Sequence, residues 1–347
     1  MGQPLRVGVI GVGMMGADHA DRLVRRIAGA DLVAVSDPDV PRATELVEGL
    51  RADGAADVRV IEDPLELIAD EGVDAVLIAS PGFVHPEQLM ACIEHGKYAL
   101  CEKPLTMDAE SSWEVVQAEH RAGRPMIQVG FMRRFDPEYA QMKELLDSGR
   151  LGRTLLLHQT HRNKSVPNPE FRSEMIVRDS MVHEVDVARF LLGEEITRIQ
   201  VLSPAPTSAA FEGVADPQVS VFTMAGGSVV TNEVFVNCQT GYEVRCEAVA
   251  ERGTAIAGRP WAGLYTTVAP DVAEDLGQWG GSVDPDFRVR FERAYDLEVQ
   301  AWVDASRRGE VVGPTAYDGY ASTVVCEAGM ASLASGEPVE VKLEARP

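Results

Sequence analysis

Through the first 130 residues the chain alternates between two hydrophobic periods. Near-continuous apolar runs occur at Leu5–Ile10, Asp31–Asp37, Val58–Ile61, Asp74–Ala79, Tyr98–Cys101 and Met126–Val129. Between them, Ala17–Ala28, Pro41–Leu50, Pro64–Ala69, Pro86–His95 and Ala109–Ala122 repeat their apolar residues at helical spacing. Strands apolar on both sides need cover on both faces, and crossover helices supply it. The pattern therefore predicts a parallel, doubly wound sheet.

Near Gly130 the pattern changes. A helix is expected over Asp136–Asp147, a strand over Thr154–Thr160, a polar loop over Asn163–Ser173 and a helix over Ser180–Leu192. Strand-like runs follow at Ile196–Leu202, Gln218–Met224, Ser228–Asn237 and Tyr242–Ala250, with Gly226-Gly227 and Glu251-Arg252-Gly253 as turns. Pro260–Asp286 is irregular, and helices return at Phe287–Arg307 and Tyr317–Ser335. The fold class expected is α/β: an N-terminal Rossmann-type sheet over residues 1–130, then an α+β domain over 131–347 with an open, largely antiparallel sheet. A length of 347 residues agrees with two domains.

The turn after the first strand reads Gly11-Val-Gly-Met-Met-Gly16. A G-x-G-x-x-G between a strand and a helix gives three glycines three tasks. Gly11 makes the tight turn, Gly13 lets backbone approach a pyrophosphate, and Gly16 lets the helix lie close to its strand. The helix N-terminus then favours phosphate. Asp37 stands 21 residues past Gly16 at the carboxyl end of the second strand, where a carboxylate bonds ribose hydroxyls and repels a 2′-phosphate. Pro38 follows it, so NAD rather than NADP is the cofactor expected, although Arg42 lies close enough in sequence to soften that preference.

Composition narrows the classes. A net charge of −22 argues against nucleic acid and against an anionic membrane. Five cysteines, odd in number and without a C-x-x-C, read as reduced core residues of a cytoplasmic protein. No apolar run has the length of a membrane span, and the first strand starts too early to leave room for a signal peptide.

Four further constellations carry chemistry. Ser80 and His85 follow the Ala75–Ala79 run, at the strand end where such sheets bind ligands. Glu102-Lys-Pro104 also follows a strand. There the Lys103 ammonium can stabilise an alkoxide, the alternative being a surface Glu–Lys pair. Asp179 and His183, four residues apart at a helix start, suit a carboxylate orienting an imidazole base; the alternative is a capping Asp179. Glu184 and Asp186 nearby raise a metal site. The odd spacing of His158 and His161 turns them to opposite faces of a strand, so no metal is expected. In Gly130-Phe-Met-Arg-Arg-Phe135, Arg133 can reach into the crevice and Arg134 can face water or a partner.

The ordered set of Gly11–Gly16, Glu102-Lys-Pro104 and Asp179-x-x-x-His183 resembles the family of glucose–fructose oxidoreductase, inositol dehydrogenase and their relatives. The resemblance runs over almost the whole chain. Gly130–Asp136, His161-Arg-Asn163, His183–Asp186, Gly241–Val244 and Pro314–Tyr320 are similar to stretches of its inositol-oxidising members. It implies Lys103, Asp179 and His183 as the catalytic set. It also implies Arg133, Asn163 and Tyr242, beside that set, as holders of a polyol. Cofactor contacts are expected from Gly11, Gly13, Met14, Met15, Asp37, Ser80, His85, Glu102 and Lys103. The implied activity is NAD-dependent oxidation of a cyclic polyol, myo-inositol foremost, by a homotetramer assembled through the open sheet. Alternatives are scyllo-inositol or another sugar as substrate, and a non-catalytic NAD-sensing regulator.

Overall fold

The computed structural model describes residues 3–52, 57–166, 168–258 and 286–347. Strands β1 (Leu5–Ile10), β2 (Ala30–Ser36), β3 (Arg59–Ile61), β4 (Ala75–Ile78), β5 (Tyr98–Cys101) and β6 (Ile127–Val129) form one parallel sheet in the order β3-β2-β1-β4-β5-β6. The crossovers are α1 (Met14–Arg25), α2 (Val40–Ala52), α3 (Pro64–Ala69), α4 (His85–Glu94) and α5 (Ala109–Arg121). The strand order reverses between β1 and β4, and this switch point is where an open α/β sheet leaves a crevice at its carboxyl edge.

The remaining elements are α6 (Pro137–Asp147), β7 (Thr154–Arg162), α7 (Val182–Leu192), β8 (Ile196–Leu202), β9 (Gln218–Met224), β10 (Val229–Phe235), β11 (Glu243–Ala250), β12 (Gly253–Ala257), α8 (Phe287–Ser306), α9 (Ala316–Ser335) and β13 (Val339–Glu340). The second sheet runs β12-β11-β7-β10-β9-β8-β13. Its described pairs are antiparallel except β7 with β10, which is parallel. The Gly226-Gly227 turn joins β9 to β10 as its spacing predicts, with Gly227 at φ +89°. The irregular stretch expected over Pro260–Asp286 lies, apart from Asp286, outside the described residues.

Two compact units result, and the chain does not divide between them in one cut. The first holds Met1–Met132, Tyr295–Thr323 and Glu344–Pro347; the second holds Arg133–Ala294 and Val324–Leu343. A second domain running without interruption from residue 131 to 347 is therefore corrected. The reason lies in the first unit's core. Val7 and Val9 of β1, Leu77 of β4 and Leu100 of β5 share one cluster with Ala20 and Leu23 of α1, and Val299, Trp302 and Val303 of α8 complete it. One face of the sheet stays dry only because this late segment returns to cover it.

In the second unit the strands alternate cleanly. Along β9, Gln218, Ser220, Phe222 and Met224 are buried while Val219, Val221 and Thr223 are half-buried. The inner face lies against α7, buried at every position from Val182 to Arg189. It also meets the last turns of α9, where Gly329 comes so close that a Cβ would stand 2.9 Å from Ile199 Cδ1.

Candidate active site

The three glycines perform separate tasks at the carboxyl end of β1. Gly11 has φ +81°, and a Cβ there would lie 2.6 Å from the backbone nitrogen of Ser80. A Cβ on Gly16 would fall 1.7 Å from the carbonyl oxygen of Gly11, so only glycine lets α1 start this close to its strand. Around Gly13, by contrast, nothing stands within 4 Å of a Cβ position. Gly13 caps α1, which opens with Met14 and Met15, three residues earlier than the apolar pattern predicts. The loop's own residues are already helical, the Ala17 N–H bonding the Gly13 carbonyl at 2.9 Å. Open space before a helix N-terminus with uncommitted N–H groups is a cradle of the kind a pyrophosphate needs.

Asp37 follows β2, buried. Its Oδ2 accepts the Val12 N–H at 2.8 Å; its Oδ1 accepts the Asp39 N–H at 2.8 Å and Arg42 Nη2 at 2.6 Å. Burial pushes its pKa up, but the Val12, Asp39 and Arg42 donors outweigh burial and hold the carboxyl below its ordinary value. Asp37 therefore presents a fixed negative charge beside the glycine loop, with Arg42 shielding one oxygen.

Around β4 and β5 the candidates divide by exposure. Ser80 is half-buried, and its hydroxyl donates to Gln88 Oε1 at 2.6 Å. His85, expected as a cofactor contact, is 1% exposed. Its Nε2 lies 2.8 Å from the Ser80 carbonyl and its Nδ1 3.0 Å from the Pro104 carbonyl. Its ring is spent on joining the loop after β4 to the loop after β5, and burial lowers its pKa. Position at a strand end was correct for His85; the direction of its side chain was not legible from spacing. Glu102 is buried and Lys103 half-buried, and the Lys103–Pro104 peptide bond is cis.

In the second unit a polar cluster forms between β7 and α7. Arg133 and Glu184 make a buried ion pair, and His161 Nδ1 lies 3.1 Å from Glu184 Oε2. The His161 ring stands 6.2 Å from that of His183 and 5.7 Å from that of Tyr242, both edge-on. Burial raises the Glu184 pKa, yet the charges of Arg133 and His161 outweigh it, and the carboxyl is held below its ordinary value. Arg133 is 1% exposed, with its guanidinium also over the Phe291 ring at 5.6 Å. Arg133, expected beside the polyol, is thus held by Glu184 and Phe291. Arg134, expected to face water or a partner, pairs with Asp186 at 2.6 Å. The two carboxylates considered for a metal, Glu184 and Asp186, are thus both engaged by guanidinium groups.

Asp179 does not sit at the start of a regular α-helix. It lies in a π-helical turn, Ile176–Ser180, that leads through Met181 into α7. Both its oxygens receive Arg178, at 2.7 and 2.9 Å. Such π-helical turns recur at functional sites. His158 and His161 take opposite faces of β7, as their spacing predicts: His158 meets Thr231 Oγ1 at 2.7 Å on the outer face, and His161 is buried. Asn163, half-buried, closes the end of β7 through its backbone, its N–H on the Phe235 carbonyl at 2.9 Å.

A glycine cradle at a switch point, a fixed carboxylate after β2, a lysine after β5 and a separate α+β unit with a buried histidine cluster define a nicotinamide-dependent oxidoreductase. Residues 5–131 match the model of an oxidoreductase family with an NAD-binding Rossmann fold, and residues 139–256 that of the GFO/IDH/MocA C-terminal domain. The chain belongs to the GFO/IDH/MocA oxidoreductase family. It is 52% identical to inositol 2-dehydrogenase of Mycolicibacterium smegmatis, covering 99% of this chain and 97% of that one. It is also 52% identical to inositol 2-dehydrogenase 4 of Saccharopolyspora erythraea, with the same coverage. Among solved structures, the fold is similar to myo-inositol dehydrogenase from Lactobacillus casei in complex with NAD(H) and myo-inositol, with a TM-score of 0.89 at 32% identity over 99% of both chains. The cofactor is NAD, and the cradle at Gly13 with the ionised Asp37 fits it.

Proposed function

We propose that the chain is an inositol 2-dehydrogenase, oxidising myo-inositol at its axial hydroxyl to 2-keto-myo-inositol. The observation that carries this reading is 52% identity, over 99% of the chain, to an inositol 2-dehydrogenase. NAD, when bound, accepts the hydride from the carbon. His183 takes the hydroxyl proton, and Asp179 orients it. The Lys103 ammonium bonds the same oxygen and stabilises the negative charge that develops on it. The products are ketone, NADH and one proton. Gly11, Gly13, Met14, Met15, Asp37 and Ser80 hold the dinucleotide. Asn163 and Tyr242 bond the polyol, a neutral ligand that is selected by hydrogen bonds; analogues that leave such partners unpaired are rejected. Arg133 serves that site from behind, through Glu184 and His161. We propose further that the enzyme works in the cytoplasm as a homotetramer.

The test is the initial rate of nicotinamide reduction with myo-inositol, NAD and NADP in parallel. Turnover with NAD is expected. Lys103→Met or His183→Ala should lower kcat by about 10²–10⁴-fold while NAD still binds. Unchanged turnover in either variant would sink the mechanism. Activity with another cyclic polyol alone would discard the substrate and keep the reaction. Silence across polyols and sugars with NAD bound would replace the enzyme by a sensor.

A further inference from the structure

Helix α1 carries a polar group where its pattern calls for an apolar one. Gly16, Ala20 and Leu23 form its inner stripe, and His19 stands within that stripe, 0% exposed. His19 Nε2 lies 2.9 Å from Glu102 Oε1, and its Nδ1 lies 3.3 Å from Arg22 Nη1. Arg22 is itself buried and is anchored by Asp296 at 2.8 Å and Asp18 at 2.9 Å. A guanidinium only donates, so Nδ1 must accept. Nε2 then carries the proton that is donated to Glu102. The second oxygen of Glu102 accepts the Lys103 N–H at 3.2 Å. Backbone closes that side too: a Cβ on Gly130 would stand 3.1 Å from Glu102 Oε2. The Tyr295 ring meets His19 edge-on at 5.7 Å and stops it from turning away.

We propose that His19 is a positioning residue for Lys103, acting through Glu102, with Arg22 selecting its tautomer. Glu102, with both oxygens turned to these groups, is a brace for the backbone that carries the lysine. A buried carboxylate with one oxygen left unmatched would move or take up a proton, and either change shifts that backbone. Burial raises the Glu102 pKa, but the His19 hydrogen bond, with the Lys103 ammonium and the Lys103 N–H beside it, outweighs burial and keeps the carboxyl below its ordinary value. The proposal rests on the assignment of Lys103 to the developing oxyanion.

The experiment is steady-state kinetics of the full-length enzyme with NAD and myo-inositol, with melting curves alongside. His19→Leu removes the donor, and His19→Gln returns an N–H near the Nε2 position. Glu102→Gln, the His19→Leu/Glu102→Gln double variant and Lys103→Met complete the set. In His19→Leu, kcat should fall on the order of 10- to 100-fold, as expected for a misplacement near 1 Å, with KM for both substrates held within about threefold. His19→Gln should recover most of the loss. The double variant should be no slower than Glu102→Gln alone, because the two residues act in series.

Wild-type kcat in His19→Leu, equal losses in the Leu and Gln variants, or losses that multiply in the double variant would each overturn the proposal. Should His19→Leu not fold, His19→Asn replaces it, its amide falling near Nδ1 and short of Glu102. Equal kcat for the Asn and Gln variants then overturns the proposal. Lys103→Met with full turnover would remove the lysine assignment and this inference together. An inactive Lys103→Met beside a fully active His19→Leu would remove this inference alone.

Discussion

At the scale of single residues, Glu184 shows what a buried charge requires. It is 0% exposed and meets Arg133 on one oxygen and His161 on the other. Removing its charge leaves a guanidinium buried without a counter-ion, which costs about 3–5 kcal/mol in comparable sites. Glu184→Gln should lower stability by that order at neutral pH, measured by denaturant melts. The sign with pH follows from the lowered carboxyl pKa. Its stabilisation is complete above the unfolded carboxylate value and is lost as pH falls through the lower folded one. The gap between wild type and variant should therefore narrow on acidification; a gap independent of pH would show that the charge is not what matters. In the sequence Glu184 and Asp186 read as possible metal ligands, because local spacing shows that carboxylates are near a histidine and not what faces them. Arg133, 51 residues earlier, takes Glu184, and only the fold brings them together.

At the scale of elements, the Rossmann strands were legible because each is apolar on both faces and short. Element ends were less so. Helix α1 starts inside the glycine motif, since backbone bonds rather than side-chain period set a helix start. The π-helical turn at Ile176–Ser180 left no mark in the pattern. Helix α8 was legible as a helix, but its destination was not. Val299, Trp302 and Val303 are fully buried against the first sheet. At about 1.5–3 kcal/mol for each such side chain, together they rival the whole stability of a small domain. A fragment of residues 1–132 should therefore lack a cooperative thermal transition, as followed by circular dichroism. A sharp melt at the temperature of the full chain would refute this account of the core.

At the scale of the whole molecule, a net charge of −22 keeps copies apart unless a surface outweighs it. The outer face of the second sheet has the composition for that. Leu156, Val219, Val221, Val229 and Phe235 are half-buried there, beside the Arg162–Glu233 and Arg162–Glu243 pairs. We expect a solution mass close to four times the 37.6 kDa chain, measured by light scattering. Val221→Glu should lower it by placing a charge in the contact. A wild-type monomer would remove the tetramer. By itself the sequence determined what depends on near neighbours: strand and helix periods, the glycine cradle, the acid after β2 and the lysine after β5. These follow from backbone geometry over a few residues, and there the pattern of side chains is the cause of the structure. Only the tertiary structure decided that His85 and Arg133 turn inward, that His19 stands behind Glu102, and that α8 returns to the first unit. Each of these is a pairing of buried groups far apart in the chain, selected by the cost of leaving a charge or an apolar face unmatched. No local period records which partner will meet that cost.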